Sequence, residues 1–218
     1  KIDINRSKVQ IEKEDLDFIT IEQACEYILR FPTVADKTFL IHIGDRTVGG
    51  LVSQDQFVGP RQIPVSDVGV TIKDHSSFQG EAMAIGERTP VATLNPSASG
   101  RLAVGEAITN ILSASVEKIS DIKFSANWMS SIEMDAQKQA LYETVQAVTL
   151  DLCSKLGLVI PVGKDSLSMQ TTWEQEGVLK QVTAPLSLVV SAFAPVLDVR
   201  TTITPELQKT KGSKLLLI

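Results

Sequence analysis

The chain has 218 residues, 43% hydrophobic and 22% charged, enough apolar content for a sizeable core in one large domain or one domain with extensions. Its 21 Lys and Arg against 26 Asp and Glu give a formal net charge of −5, with no basic stripe to neutralise phosphates, so nothing points to a nucleic-acid partner and none is expected. No apolar run approaches the ~18 residues a membrane span requires, and no secretory signal is expected.

Residues 1–19 are mixed and charged and read as a lead-in or linker. Thr20-Ile-Glu-Gln23 is a capping-box pattern, opening a helix to about Arg30 that Pro32 closes. Thr38–Ile43 is rich in β-formers, Gly44-Asp45 suits a turn, and Val48–Val52 is expected to pair back as a hairpin. A loop covers 54–64. Val65–Ile72 alternates, with Val68, Val70 and Ile72 on one face and Asp67 on the other. Gly80–Gly86 is a shorter strand candidate. Asn95 suits an N-cap and Pro96 the first helical position of a helix whose apolar spacing runs to Leu112. A strand is expected near Ile119–Ser125, then a long helix over 134–156 closed by Gly157. Leu158–Val162 reads as a continuous apolar strand. Ser168–Trp173 and Val178–Thr183 flank a turn, and Leu186–Phe193 is a last buried strand. Pro195, Pro205 and the run Lys209-Thr-Lys-Gly-Ser213 read as an exit linker, and Leu215–Ile218 as a strand just beginning, so the chain is expected to be a piece of a longer polypeptide. The pattern is α+β: a mixed sheet with two long helices on one face, whose other face must be covered. Cys25 and Cys153 sit in apolar helical patterns and read as buried, reduced thiols.

Several chemistries are excluded by spacing. Gly163-Lys164 follows Gly157 at the wrong distance for a P-loop, and Asp165 stands where the hydroxyl belongs. No Gly-x-Gly-x-x-Gly occurs. His42, in an alternating strand pattern, and His75, in a polar loop, are too few for zinc. No spacing marks a Ser-His-Asp triad. Oxygen chemistry remains. Glu106 and Asn110, four apart, lie about 40° from one another around a helix axis. A carboxylate and an amide oxygen on one face, with no His or Cys near, suit a hard cation such as Mg²⁺, although the same pair also reads as a solvated polar face. Val162-Gly-Lys-Asp-Ser166 after an apolar strand reads either as a polar turn or as a loop in which Lys164 and Asp165 meet phosphate. Gln79–Glu87, with two glycines and acids around an alternating core, is either a polyanion site acting through metal or a bent strand.

Six stretches then fall in order: Gly44-Asp-Arg-Thr-Val-Gly-Gly-Leu-Val52, Asp55-Gln-Phe-Val-Gly-Pro60, Gly80-Glu-Ala-Met-Ala-Ile-Gly-Glu-Arg88, Arg101-Leu-Ala-Val-Gly-Glu-Ala-Ile-Thr-Asn110, Ser125-Ala-Asn-Trp-Met129 and Pro161-Val-Gly-Lys-Asp-Ser-Leu-Ser-Met169. Together they closely resemble phosphoribosylformylglycinamidine synthase in its large single-chain form, over roughly residues 20–218. The resemblance implies a glutamine-dependent, ATP-hydrolysing ligase of purine biosynthesis, cytoplasmic, in which the substrate's amide oxygen is phosphorylated and displaced by ammonia. It implies an aminoimidazole-ribonucleotide-synthetase N-terminal-like fold, the A subdomain of the second of two synthetase halves. On that reading 1–19 is a lead-in, 20–195 the A subdomain, and 196–218 an exit linker with the first strand of a B subdomain. The partners implied are ATP or ADP, Mg²⁺, and the rest of the polypeptide: the first half, whose sheet would pair with this one into a barrel, the B subdomain and the glutaminase domain. Alone, the chain is expected to be inactive and to self-associate through its sheet. The family's ligands fall on Asp67, Glu106 and Asn110 for Mg²⁺, with Ser66 beside the nucleotide and a further Asp supplied by the B subdomain. Neither cysteine matches the glutaminase nucleophile. Whether this nucleotide site is catalytic or a non-catalytic structural one is left open.

Overall fold

The computed structural model describes residues 18–44, 50–207 and 209–214, without the side chains of 41–43. The chain divides at Gly50 into two compact units.

The smaller unit carries α1 (Ile21–Arg30) and α2 (Thr38–Ile43). The capping box forms as expected: the Gln23 N–H donates to Thr20 Oγ1 at 3.3 Å and the Thr20 N–H to Gln23 Oε1 at 3.0 Å. Two expectations fail here. Thr38–Ile43 is helical and not a strand, so His42 also lies on a helix. The Asp36 carboxylate accepts from the Thr38 N–H at 3.0 Å, satisfying one orphan amide of the first turn, and this local bond outweighs the β-propensity of the run. Val48 and its neighbours 45–49 lie outside the described residues. Cys25 is exposed on α1, against the expectation of burial, whereas Cys153 is buried, which pushes its thiol up from the ordinary range.

The larger unit is built on one sheet. Its strands are β1 (Val52–Gln54), β2 (Val68–Ile72), β3 (Gly80–Glu87), β4 (Lys123–Met129), β5 (Val159–Ser166) and β8 (Ser187–Val196), in the order β1-β2-β3-β8-β4-β5. All pairs are antiparallel except β4 with β5. A separate hairpin, β6 (Gln170–Gln175) and β7 (Val178–Thr183), turns through Glu176-Gly177. The short α3 (Thr89–Ala92) leads into α4 (Pro96–Ile111). A second long helix comprises α5 (Asp135–Gln146), a π-helical stretch over Ala147–Cys153, and α6 (Ser154–Leu156). Gly157 ends it in the left-handed region at φ 66°, as expected of a C′ glycine.

Both long helices lie on one face, and Val70, Ala82, Val104, Ile111, Phe124, Val148 and Val190 are fully buried between them and the sheet. The alternating residues Met83, Ile85 and Phe193 point away from that core and are exposed. The fold is therefore the expected mixed α+β one. One strand expectation needs correction and another an extension. Ile119–Asp121 is a 3₁₀ turn preceding β4. Leu158–Val162 belongs to a strand as expected, but β5 runs on to Ser166 as the sheet's edge, paired on one side, with Val159 and Val162 exposed. The last strand also extends through Pro195 to Val196, and Val199 beyond it packs into the core.

Candidate nucleotide and cation site

Helix α4 explains the site. Asn95 caps it, its Oδ1 accepting from the Ala98 N–H at 2.9 Å, with Pro96 in the first turn. One stripe of the helix is small and buried: Ser99, Gly100, Ala103, Val104, Ala107 and Ile111. A second stripe, at 98, 101, 102, 105, 106, 109 and 110, repeats at intervals of three and one and lines an open cleft of about 690 Å³. Asp67 and Arg88 complete its wall.

The small stripe brings helix and strand unusually close. A Cβ at Gly86 would stand 2.0 Å from the Ala103 carbonyl oxygen and 2.6 Å from the Ala107 nitrogen, so only glycine permits this approach. At that spacing the helix's polar side chains reach the strand's backbone. Glu106 Oε2 accepts from the Glu87 N–H at 2.7 Å, and Asn110 Nδ2 donates to the Ile85 carbonyl at 3.1 Å. Both side chains are thus oriented by β3. Glu106 Oε1 forms an ion pair with Arg88 Nη1 at 2.9 Å. The Arg88 carbonyl in turn accepts from the buried Ser99 hydroxyl at 2.6 Å.

Asp67 is exposed at the entrance of β2 and makes no hydrogen bond or ion pair among the described residues. Ser66, Asp67 and Asn110 also line an adjoining hollow of about 200 Å³ with Ser113 and Thr204. Ser66 donates its hydroxyl to the Val68 carbonyl at 2.9 Å and its N–H to the Gln56 carbonyl at 2.7 Å, so its side chain already has a partner.

The structure therefore brings Ser66, Asp67, Glu106 and Asn110 to one region. It does not bring Lys164 and Asp165 there. These lie in β5, which corrects the loop reading of 162–166, and they border a different depression with Trp128, Val145 and Thr149. Lys164 Nζ donates to Ser166 Oγ at 2.8 Å. Within Gln79–Glu87, Gly80–Glu87 is likewise a regular strand, central in the sheet. Two cleft residues escaped the sequence reading, Arg88 and Arg101. Arg101 was findable, because it belongs to the same helical stripe as Glu106 and Asn110; Arg88 was not, since only the fold carries it to Glu106.

The donor set is two carboxylates and an amide. Among the described residues no three His, Cys, Asp or Glu side chains cluster to hold a metal. The Asp67 carboxylate and Asn110 Oδ1 are free oxygen donors, and Glu106 Oε1 becomes one once Arg88 leaves it. An all-oxygen set of this kind fits a hard divalent cation and not zinc or copper.

The model of the FGAR-AT PurM_N-like domain matches residues 36–195. The chain belongs to that family. Among solved structures it is similar to Thermotoga maritima PurL complexed with AMPPCP, at 18% identity and a TM-score of 0.56, covering 94% of this chain and 29% of that one. It is similar to the same protein complexed with ADP, at 19% identity and 0.55, covering 79% and 26%. The PurLQS structure from that organism matches at 19% identity and 0.55, covering 79% and 25%. This FGAR-AT PurM_N-like chain thus spans about a quarter of the length of the solved proteins it matches, and at these identities they show its fold.

Proposed function

We propose that the chain supplies a Mg²⁺–nucleotide site to an FGAR amidotransferase, a glutamine-dependent ligase of purine biosynthesis that uses ATP. The observation that carries this reading is the cleft along α4, which has free and releasable carboxylates at one end and guanidinium groups beside them. Asp67, Glu106 and Asn110 would hold the cation, and Ser66 would lie beside the nucleotide through its backbone, since its hydroxyl is engaged. Mg²⁺, when bound, neutralises phosphate charge. The chain's own share is to orient the donors: β3 fixes the Glu106 and Asn110 side chains before any ligand arrives, which lowers the ordering cost of binding. The 20–195 region acts as the A subdomain, with 196–218 leading onward to a B subdomain. The exposed sheet face bearing Met83, Ile85 and Phe193 would pair with the other synthetase half, or with a second copy when this chain is alone.

The nucleotide's role at this site is either structural or catalytic. Both oriented ligands hydrogen-bond the main chain of a central strand, so nucleotide bound here would stabilise the fold directly. The test is calorimetric binding of Mg·ADP, with thermal midpoints, for Asp67→Asn, Glu106→Gln and Asn110→Ala. Loss of one charged ligand is expected to cost on the order of 2 kcal/mol, roughly thirtyfold in affinity. A structural site predicts that ligand-induced stabilisation disappears with binding, whereas in the full-length enzyme turnover falls less. Three variants binding like wild type would return Glu106 and Asn110 to a mere polar face.

A further inference from the structure

Two arginines line the cleft and only one is engaged. The Arg101 guanidinium makes no hydrogen bond or ion pair among the described residues. Arg88 holds Glu106 Oε1 at 2.9 Å, while Oε2 is taken by the Glu87 N–H. Oε1 is therefore the Glu106 oxygen not tied to the main chain, and Arg88 is on it. A guanidinium and a divalent cation on one carboxylate oxygen repel strongly, so the two compete for it. The main chain at Arg88 cannot follow its side chain away, because the Ser99 hydroxyl binds its carbonyl and Glu106 binds the amide before it. The side chain itself is 50% exposed and can turn into the cleft that it already lines. An anion entering with the cation gives it a new partner, next to Arg101.

We propose that Arg88 is a positioning residue that couples cation binding to phosphate binding: it occupies Glu106 Oε1 against a bare divalent cation and transfers to the phosphates of a nucleoside diphosphate or triphosphate when cation and nucleotide arrive together. This inference rests on the cation–nucleotide reading above. It goes further by making the cleft selective for the complex over the free ion. Arg101 has nothing to release, so its charge serves the phosphates alone.

The experiment uses the 218-residue chain with Mn²⁺ as the probe, measured by electron paramagnetic resonance, alone and with ADP. Arg88→Gln is expected to bind bare Mn²⁺ about two- to fivefold more tightly than wild type, the range a half-exposed ion pair can hold back. The same variant is expected to bind ADP in the presence of Mn²⁺ about tenfold more weakly, for loss of a charge-assisted phosphate contact. Arg101→Gln should weaken ADP and leave bare Mn²⁺ within about twofold. Arg88→Lys, which keeps the charge, should hold bare Mn²⁺ near the wild-type value, and Arg88→Met, which removes the charge, should tighten it and carries the test if Arg88→Gln does not fold. A purely structural ion pair would not move the two affinities in opposite directions. Bare Mn²⁺ bound equally or more weakly by Arg88→Gln overturns the proposal. Glu106→Gln separates the two readings. If it binds Mn²⁺ and ADP like wild type, the cation site itself is wrong and this inference goes with it. If it loses Mn²⁺ while Arg88→Gln matches wild type, only the role of Arg88 falls.

Discussion

Replacing Gly86 by alanine tests the contact on which the whole cleft depends. The added methyl would meet the Ala103 carbonyl oxygen at 2.0 Å and the Ala107 nitrogen at 2.6 Å. Both are backbone atoms of α4, so no side chain can rotate to relieve the clash. The first distance is roughly 1.5 Å inside ordinary van der Waals contact (~3.5 Å), so helix and strand must separate by about that much. Overpacking a core in this way costs typically about 1–3 kcal/mol. Separation also stretches the Glu106–Glu87 bond from 2.7 Å and the Asn110–Ile85 bond from 3.1 Å, beyond hydrogen-bonding range in both cases. Adding about 1 kcal/mol for each bond lost gives a destabilisation of about 3–5 kcal/mol. In a chain of this size that lowers the thermal midpoint by roughly 6–20 °C. Gly105→Ala is the matched control in the same helix: a Cβ there meets nothing within 4 Å, and alanine's higher helix propensity should stabilise by up to about 1 kcal/mol. Urea denaturation of both variants, read by circular dichroism, measures the difference. Equal stabilities, or Gly86→Ala as stable as wild type, would refute the close approach and with it the explanation of how Glu106 and Asn110 are aimed.

The exposed sheet face is expected to drive association of the chain at micromolar concentration; light scattering should show Ile85→Glu as a monomer with a near wild-type thermal midpoint, and a monomeric wild type would remove the reason to see a pairing surface there. The Asp198 carboxyl is held at about 2, first by the hydrogen bonds from Arg200, whose guanidinium also lies 3.7 Å from the centre of the Phe78 ring. Its folded value lies below the unfolded one of about 3.9, so its contribution is complete above that pH and is lost as pH falls through about 2. Carboxyl NMR of Arg200→Ala should find the Asp198 titration raised only part of the way toward the ordinary range, because the residue-200 N–H still donates to it at 3.0 Å, and an unchanged titration would discount the pair.

Where one element carried its own instructions, the sequence determined the outcome. The capping box at Thr20, the Asn95-Pro96 start of α4, the glycine end at Gly157 and the alternation of Val68 and Val70 all rest on bonds or periodicities within a few residues. The four-residue spacing of Glu106 and Asn110 likewise put both on one helical face. Tertiary structure decided the rest. Val159 and Val162 are apolar enough for a core, but their strand came to lie at the sheet's edge, and periodicity does not encode strand order. The strand order β3-β8-β4 joins segments far apart in the chain, and only that sheet gives α4 a floor to pack on. The partners of Glu106, an amide and a guanidinium nearly twenty residues earlier, are set by how closely Gly86 lets two backbones approach. A helix determines which of its own side chains share a face. What that face meets depends on packing between segments distant in the chain, and no local spacing records it.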